Sequence, residues 1–156
     1  MPNQGQNPKG IIFTGGPNSA YLPDSPTIDP EIYNWGVPIL GICYGSQLMM
    51  HMLGGKVCKA PEREYGKTLV DLDTASPLFD TLPAQNVCWM SHNDYIERPP
   101  PALRSWPTRP TVPWLPRQDK ARGPSTPCSS TPEVPAHRER HEKLLHNFVY
   151  NVCRCA

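Results

Sequence analysis

A chain of 156 residues with a formal net charge of +1 has room for one domain and no charge excess with which to bind nucleic acid or an anionic membrane surface. No apolar run approaches the roughly 18–20 residues of a membrane-spanning helix, and the polar start from Met1 to Lys9 lacks the apolar core of a secretory signal. The six cysteines, Cys43, Cys58, Cys88, Cys128, Cys153 and Cys155, fit neither a CxxC metal site nor an obvious disulfide framework, which points to a reducing, cytoplasmic setting.

Residues 10–98 read as α/β protein. Ile11-Ile12-Phe13 is a short apolar run stopped by Gly15-Gly16-Pro17, the pattern of a buried strand ending in a tight turn. Asn18 to Asp29 is polar and proline-rich, a loop. Pro30 to Trp35 reads as one or two helical turns closed by Gly36, and Val37 to Ile42 as a second buried strand. Gln47 to Leu53 is apolar at helical spacing, with Gly54-Gly55 as its stop, and Met49, Met50 and Met52 read as core. Glu62-Arg63-Glu64 reads as a solvated charged loop, and Lys67 to Leu72 and Val87 to Met90 as two more strands. Strands alternating with helices predict a mainly parallel sheet with flanking helices.

The next stretch is different. Of the 21 prolines, 11 fall between Pro99 and Pro135, and proline breaks both helices and central strands. Residues 99–142, rich in Pro, Arg, Ser and Thr and without periodicity, read as a disordered segment. Helical amphipathic spacing returns at residues 143–153, with Leu144, Leu145, Phe148 and Val152 on one face.

Three motifs carry chemistry. In Gly41-Ile42-Cys43-Tyr44-Gly45 a buried strand runs straight into a helix with Cys at the junction. Glycines on either side let the chain turn sharply and present the sulfur, as in a nucleophile elbow, and a helix N-terminus supplies positive potential there. The alternative is a buried structural cysteine. Gly15-Gly16-Pro17 places backbone N–H groups at a strand end, where with the N–H of Tyr44 they would form an oxyanion hole; the alternative is a simple turn. Ser91-His92-Asn93-Asp94 places four polar residues at a strand's carboxyl end, where α/β proteins bind ligands. His92 is there a candidate base for Cys43, or else a satisfied loop histidine. Gln47 follows Cys43 by one helical turn and shares its face, as a substrate contact or a surface glutamine.

Five runs together resemble class I glutamine amidotransferases: Gly10-Ile-Ile-Phe-Thr-Gly-Gly-Pro17, Gly36-Val-Pro-Ile-Leu-Gly-Ile-Cys-Tyr-Gly-Ser-Gln47, Leu53-Gly-Gly-Lys56, Arg63-Glu-Tyr-Gly-Lys67 and Trp89-Met-Ser-His-Asn-Asp94. Their versions and order are most similar to the amidotransferase domain of GMP synthetases, and residues 143–155 resemble that domain's last helix. The resemblance covers residues 8–98 and 143–155 and implies a flavodoxin-like fold, here a partial domain over residues 8–156. It implies that Cys43 attacks the side-chain amide of L-glutamine to form a γ-glutamyl thioester. Gly15, Gly16 and Tyr44 would then stabilise the oxyanion. Gln47, Ser91, His92, Asn93 and Asp94 would hold the substrate, so that His92 belongs to binding and not to proton transfer. The implied partner is an ATP-pyrophosphatase synthetase, as a domain or a separate chain, which uses the released ammonia to convert XMP to GMP. No cofactor is implied in the amidotransferase domain itself; ATP and Mg²⁺ belong to the synthetase domain.

The chain also departs from the family pattern. A first strand and helix are expected before Pro8 and a synthetase domain after Ala156, and this sequence carries neither. The family's triad needs a Phe-His-Pro-Glu segment; at the matching distance stands Ser130-Thr131-Pro132-Glu133, so Glu133 fits and Thr131 holds the place of the histidine. Threonine cannot serve as the base at neutral pH. This chain as written is therefore expected to hydrolyse little or no glutamine. Much of 99–142 is consistent with family sequence translated in a shifted frame: codons for Leu-Tyr-Ala-Val-Gln-Phe-His-Pro, read one nucleotide later, yield Ser125 to Thr131. The rival readings are a non-catalytic remnant that keeps the pocket as a binding module, and another cysteine hydrolase on a flavodoxin-like sheet, such as a peptidase relative.

Overall fold

The computed structural model describes residues 7–72, 74–98, 100–101 and 142–156, and at 61–71 and 87–93 it describes backbone alone. Its first strand, β1 (Ile11–Phe13), lies parallel to β2 (Ile39–Gly41), with Ile11 opposite Ile39 and Phe13 opposite Gly41. Between them the chain makes a short 3₁₀ turn over Pro30–Asn34. The Asp29 side chain accepts from the Glu31 N–H at 3.0 Å, and Pro30 starts the turn where a missing N–H costs nothing. Gly36, at φ 71°, ends it in the left-handed region that glycine enters freely.

Helix α1 (Tyr44–Met52) follows β2 almost at once. It begins three residues earlier than the apolar spacing from Gln47 predicts, because its first turn is built from Tyr44, Gly45 and Ser46 rather than from core-facing aliphatics. Gly54, at φ 91°, closes it.

The remaining strands form a long antiparallel ribbon. Strand β3 (Lys56–Asp71) pairs with β4 (Gln85–Arg98) from Lys56 opposite Arg98 to Asp71 opposite Gln85, with irregular register between Lys59 and Glu64. Both strands run well beyond the predicted Lys67–Leu72 and Val87–Met90. Two expected loops lie inside the ribbon: Glu62 to Glu64 in β3, at the register break, and Ser91 to Asp94 in the middle of β4. Glu64, Ser91, His92 and Asp94 have cross-strand partners, which satisfy backbone groups that polar side chains alone led one to assign to solvent.

The parallel pair is covered on both faces, as alternation along a strand requires. Ile39, with Ile11 and Phe13, packs on Ile32, Met49, Ile28 and Tyr33, which belong to the 3₁₀ turn, its leading loop and α1. Its neighbour Leu40 points the other way, onto Leu78, Phe79 and Phe148, with Leu72, Leu82, Leu144 and Val152 around them. Phe148 is almost fully buried, worth roughly 2–3 kcal/mol of apolar transfer. Met49 and Met50 are core, as expected; Met52 lies at its edge.

Residues 142–147 are helical and continue into a π-helical turn at Phe148–Val152. Of the four residues predicted to share its buried face, Leu144, Phe148 and Val152 do so, whereas Leu145 is exposed. The face is completed by a polar residue, Asn147, whose Nδ2 donates to the carbonyls of Leu78 at 3.0 Å and Asp80 at 2.8 Å. This clamp ties the C-terminal helix to the 3₁₀ turn at Pro77–Phe79.

Candidate active site

The site grows from the carboxyl ends of β1 and β2. After Gly41 the backbone turns through Ile42, whose N–H donates to the Phe13 carbonyl at 2.8 Å. Cys43 then sits at φ 58° and ψ −124°, a region that side-chain-bearing residues rarely occupy. It is the N-cap of α1, and its thiol is half-buried.

The two flanking glycines make this turn possible. A Cβ on Gly45 would lie 2.5 Å from the Phe13 carbonyl carbon and oxygen, and one on Gly41 2.7 Å from Met49 Sδ and Ser46 Cα. The Gly45 N–H reaches the Thr14 carbonyl at 2.9 Å, and thus pins the first turn of the helix to the end of β1. Ser46 closes the turn from the other side, donating its hydroxyl to the Cys43 carbonyl at 2.7 Å.

The Gly15-Gly16 turn lies against this elbow. A Cβ on Gly15 would sit 3.8 Å from Cys43 Sγ, and one on Gly16 would strike the Tyr44 ring at 2.8 Å. The Tyr44 hydroxyl donates to the Pro26 carbonyl, which fastens the 16–29 loop over the helix start, and burial pushes its pKa up against the opposing pull of Ser25. Among the described residues, backbone bonds occupy the amides of Gly45, Ser46 and Gln47 but not that of Tyr44. Gly15 thus lies against the Cys43 sulfur, and Gly16 against the Tyr44 ring.

Gln47 is buried and donates from Nε2 to the Asp94 carbonyl at 3.2 Å, which brings β4 to the first turn of α1. Asp94 is buried too, and its Oδ1 accepts from the Tyr21 hydroxyl at 3.2 Å. Ser91 and His92 stand opposite Tyr65 and Glu64 in the ribbon, and Asn93 falls in the register break. The expected terminal loop is therefore an internal segment of β4, tied to α1 at Asp94. The expected Thr131 and Glu133 lie outside the described residues. Among the described residues, the Cys43 thiol makes no hydrogen bond to a histidine, and no cluster of three His, Cys, Asp or Glu side chains is placed to hold a metal. No helix among them is long and apolar enough to cross a membrane.

Sequence reasoning missed Tyr21 and Thr14. Tyr21 stood in a stretch read only as a loop, and its partner lies 73 positions away. Thr14 acts through its backbone, which leaves no mark on residue type.

The described site is thus a strand–cysteine–helix elbow faced by a glycine turn. Residues 2–110 match the family described as glutamine amidotransferase class-I. The GMP synthase [glutamine-hydrolyzing] of Clostridium botulinum (strain Alaska E43 / Type E3) is 51% identical over 149 residues, covering 96% of this chain and 29% of that protein. That of Clostridium perfringens (strain 13 / Type A) is 49% identical over 148 residues, covering 95% and 29%. The chain thus spans under a third of the length of these relatives. The crystal structure of a Thermoplasma acidophilum protein, described as one of the subunits of a GMP synthase, superposes with a TM-score of 0.58 at 26% identity, over 94% of this chain and 73% of that one. This chain belongs to the class I glutamine amidotransferases, with their α/β fold of parallel strands and flanking helices.

Proposed function

We propose that this chain is the glutamine-handling part of a GMP synthase, and that Cys43 is its nucleophile. The observation that carries the reading is the backbone of Cys43 at φ 58° and ψ −124° at the start of α1, with Gly15 against its sulfur. Such a conformation is costly for a residue with a side chain and persists where its surroundings impose it, most often at reactive centres.

In this reading the Cys43 sulfur adds to the amide carbon of L-glutamine, and the developing oxyanion is met by the N–H groups of Gly15, Gly16 and Tyr44. Collapse forms the γ-glutamyl thioester and requires a proton on the departing ammonia. Water then adds to the thioester carbon and releases glutamate and the thiol. Gln47, Ser91, His92, Asn93 and Asp94 hold the substrate's α-ammonium and carboxylate. The partner is a synthetase, either a domain or a separate chain; the Thermoplasma relative, described as one of the subunits of a GMP synthase, supports supply by a separate chain. ATP and Mg²⁺ act in that partner, in a cytoplasmic pathway to GMP.

In the sequence, Thr131 holds the place of the family's histidine base, two positions before Glu133. Proton transfer to ammonia is the step that suffers, so the chain binds glutamine and turns it over slowly. A chloroketone analogue of glutamine tests the first half, since displacement of chloride by sulfur needs no proton donor. The expected result is a single adduct on Cys43 by mass spectrometry, suppressed by L-glutamine and indifferent to peptides. Labelling that glutamine does not suppress overturns the assignment. Glutaminase assays with and without a synthetase domain test the second half, and ready turnover abolished in Cys43→Ala would overturn the slow-turnover reading. Sequencing the coding DNA tests the frame-shift origin of much of 99–142, which predicts that a single-base gain or loss near Pro99–Ala102 and another near Thr131–Ala136 restore the family sequence.

A further inference from the structure

We infer that Tyr21 is a positioning residue for substrate binding, which aims the Asp94 carboxylate from across the site; the inference rests on the amidotransferase reading above. Asp94 is a buried acid in the middle of β4, only 7% exposed. A carboxylate in such a place needs donors that hold its direction, and it retains acceptor capacity after one bond is made. Its own strand fixes the backbone, and Gln47 fixes it again by donating to the Asp94 carbonyl at 3.2 Å. Neither bond orients the carboxyl group. The Tyr21 hydroxyl does, donating to Oδ1 at 3.2 Å.

Tyr21 is itself held in direction. Ala20 is buried against Tyr44 and Leu48 on α1. The Leu22 N–H donates to the Ser19 carbonyl at 3.1 Å, the Ser25 N–H to the Leu22 carbonyl at 3.1 Å, and the Ser25 hydroxyl to the Ser19 carbonyl at 2.5 Å. These bonds wind the chain tightly around Tyr21 and turn its ring outward from the buried Ala20 toward β4. The same loop starts at the Gly15-Gly16 turn beside Cys43. One segment therefore sets both the oxyanion donors and the acid that would meet the α-ammonium of glutamine, the cationic group a fixed carboxylate suits. The ligand class is a free α-amino acid rather than a glutaminyl residue inside a peptide, because a peptide nitrogen carries no charge for Asp94.

The test measures the inactivation constant KI and maximal rate of the glutamine chloroketone on the full chain, alongside Cys43 alkylation by iodoacetamide. Tyr21→Phe removes one oxygen from a side chain at a residue 37% exposed. It should raise KI about 3- to 10-fold, the loss of one long, part-buried hydrogen bond of ordinary strength, with the iodoacetamide rate within about twofold of the parent. Asp94→Asn should raise KI further. Tyr21→Phe added to Asp94→Asn should then do nothing more, because Tyr21 acts through that carboxylate. An unchanged KI in Tyr21→Phe, additive effects in the double variant, or an equal change in the iodoacetamide rate would each overturn the inference. Failure of the parent chain to be protected by L-glutamine would overturn the amidotransferase reading instead.

Discussion

Replacing Gly45 by alanine probes the elbow where it is least able to yield. Gly45 is the second residue of α1, and an ordinary helix gains about 1 kcal/mol from Gly→Ala. Here the new methyl would lie 2.5 Å from the carbonyl carbon, carbonyl oxygen and Cβ of Phe13. Carbon contacts are comfortable at about 3.5–4.0 Å, so β1 and α1 must part by about 1 Å. The obstacle is mainly backbone, and that backbone is already engaged: Phe13 pairs with Gly41 in the parallel ladder and accepts from the Ile42 N–H at 2.8 Å. Separation also stretches the 2.9 Å bond from the Gly45 N–H to Thr14. Overpacking costs about 1–3 kcal/mol, and two weakened hydrogen bonds about 1 kcal/mol each. Set against the propensity gain, the net is a loss of about 2–4 kcal/mol. Urea unfolding followed by circular dichroism should show the midpoint falling at unchanged slope. A variant as stable as the parent, or more stable by the helix-propensity increment, would refute the claim that Gly45 is there for close approach.

Three further changes test other parts of the molecule. Cys43→Gly should be about 1 kcal/mol more stable than Cys43→Ala in the same unfolding assay, because glycine relaxes at φ 58° while alanine keeps the strain; at an unstrained position the order reverses. Asn147→Ala should cost about 2–3 kcal/mol, since it orphans the Leu78 and Asp80 carbonyls under a buried helix, and a loss under about 0.5 kcal/mol would refute the clamp. Burial pushes the pKa of Tyr33 up to about 12, its hydroxyl lying 3.7 Å from Met52 Sδ. With the folded value above the unfolded value of about 10, its contribution to stability is whole below pH 10 and is lost as pH rises toward 12. Ultraviolet titration should show Tyr33→Phe removing the tyrosine that ionises near pH 12, and stability should fall less steeply above pH 10 in that variant.

How much of this was legible in the sequence depended on how local its cause is. The elbow was legible because its determinants are adjacent: an apolar strand, a cysteine, and small residues where β1 and the helix backbone come within contact. The two-sided burial of β2 followed from its unbroken apolar run, and the structure divides Ile39 and Leu40 between opposite cores. The ribbon was legible only in part. Three charged residues, Glu62 to Glu64, suggested a loop, yet β3 carries them through the register break between Lys59 and Glu64. Ser91 to Asp94 looked like a polar loop because what completes their backbone, Tyr65, Glu64 and Lys59, lies some thirty positions away. Leu145 joined the helical stripe by spacing, but the Leu78 and Asp80 carbonyls lie against the helix at Asn147, so that an asparagine is buried and the leucine is exposed.

The first turn of α1 explains why the spacing Cys43-Tyr-Gly-Ser-Gln47 is needed as a unit. Successive helical residues advance by about 100°, so residues 43 and 47 share a face and residue 45 points almost oppositely. On the shared face stand the sulfur, beside Gly15, and the Gln47 amide, which holds β4 through the Asp94 carbonyl. On the opposite face Gly45 rests on Phe13 with no side chain between them. One turn of helix thus touches three segments distant in sequence: the end of β1, the glycine turn and the middle of β4. Cys43 can hold its strained backbone because both ends of that turn are fastened, by Gly45 to Thr14 and by Gln47 to Asp94. Loosening either fastening lets φ of residue 43 relax toward the helical region, which carries the sulfur away from Gly15. Gln47 therefore has a mechanical task before any contact with substrate. Gln47→Glu keeps the length of the side chain but replaces the donor with an acceptor facing a carbonyl, and it should slow Cys43 alkylation by iodoacetamide as well as by the glutamine analogue. Loss of reactivity toward the analogue alone would show that Gln47 binds substrate and leaves the elbow to Gly45.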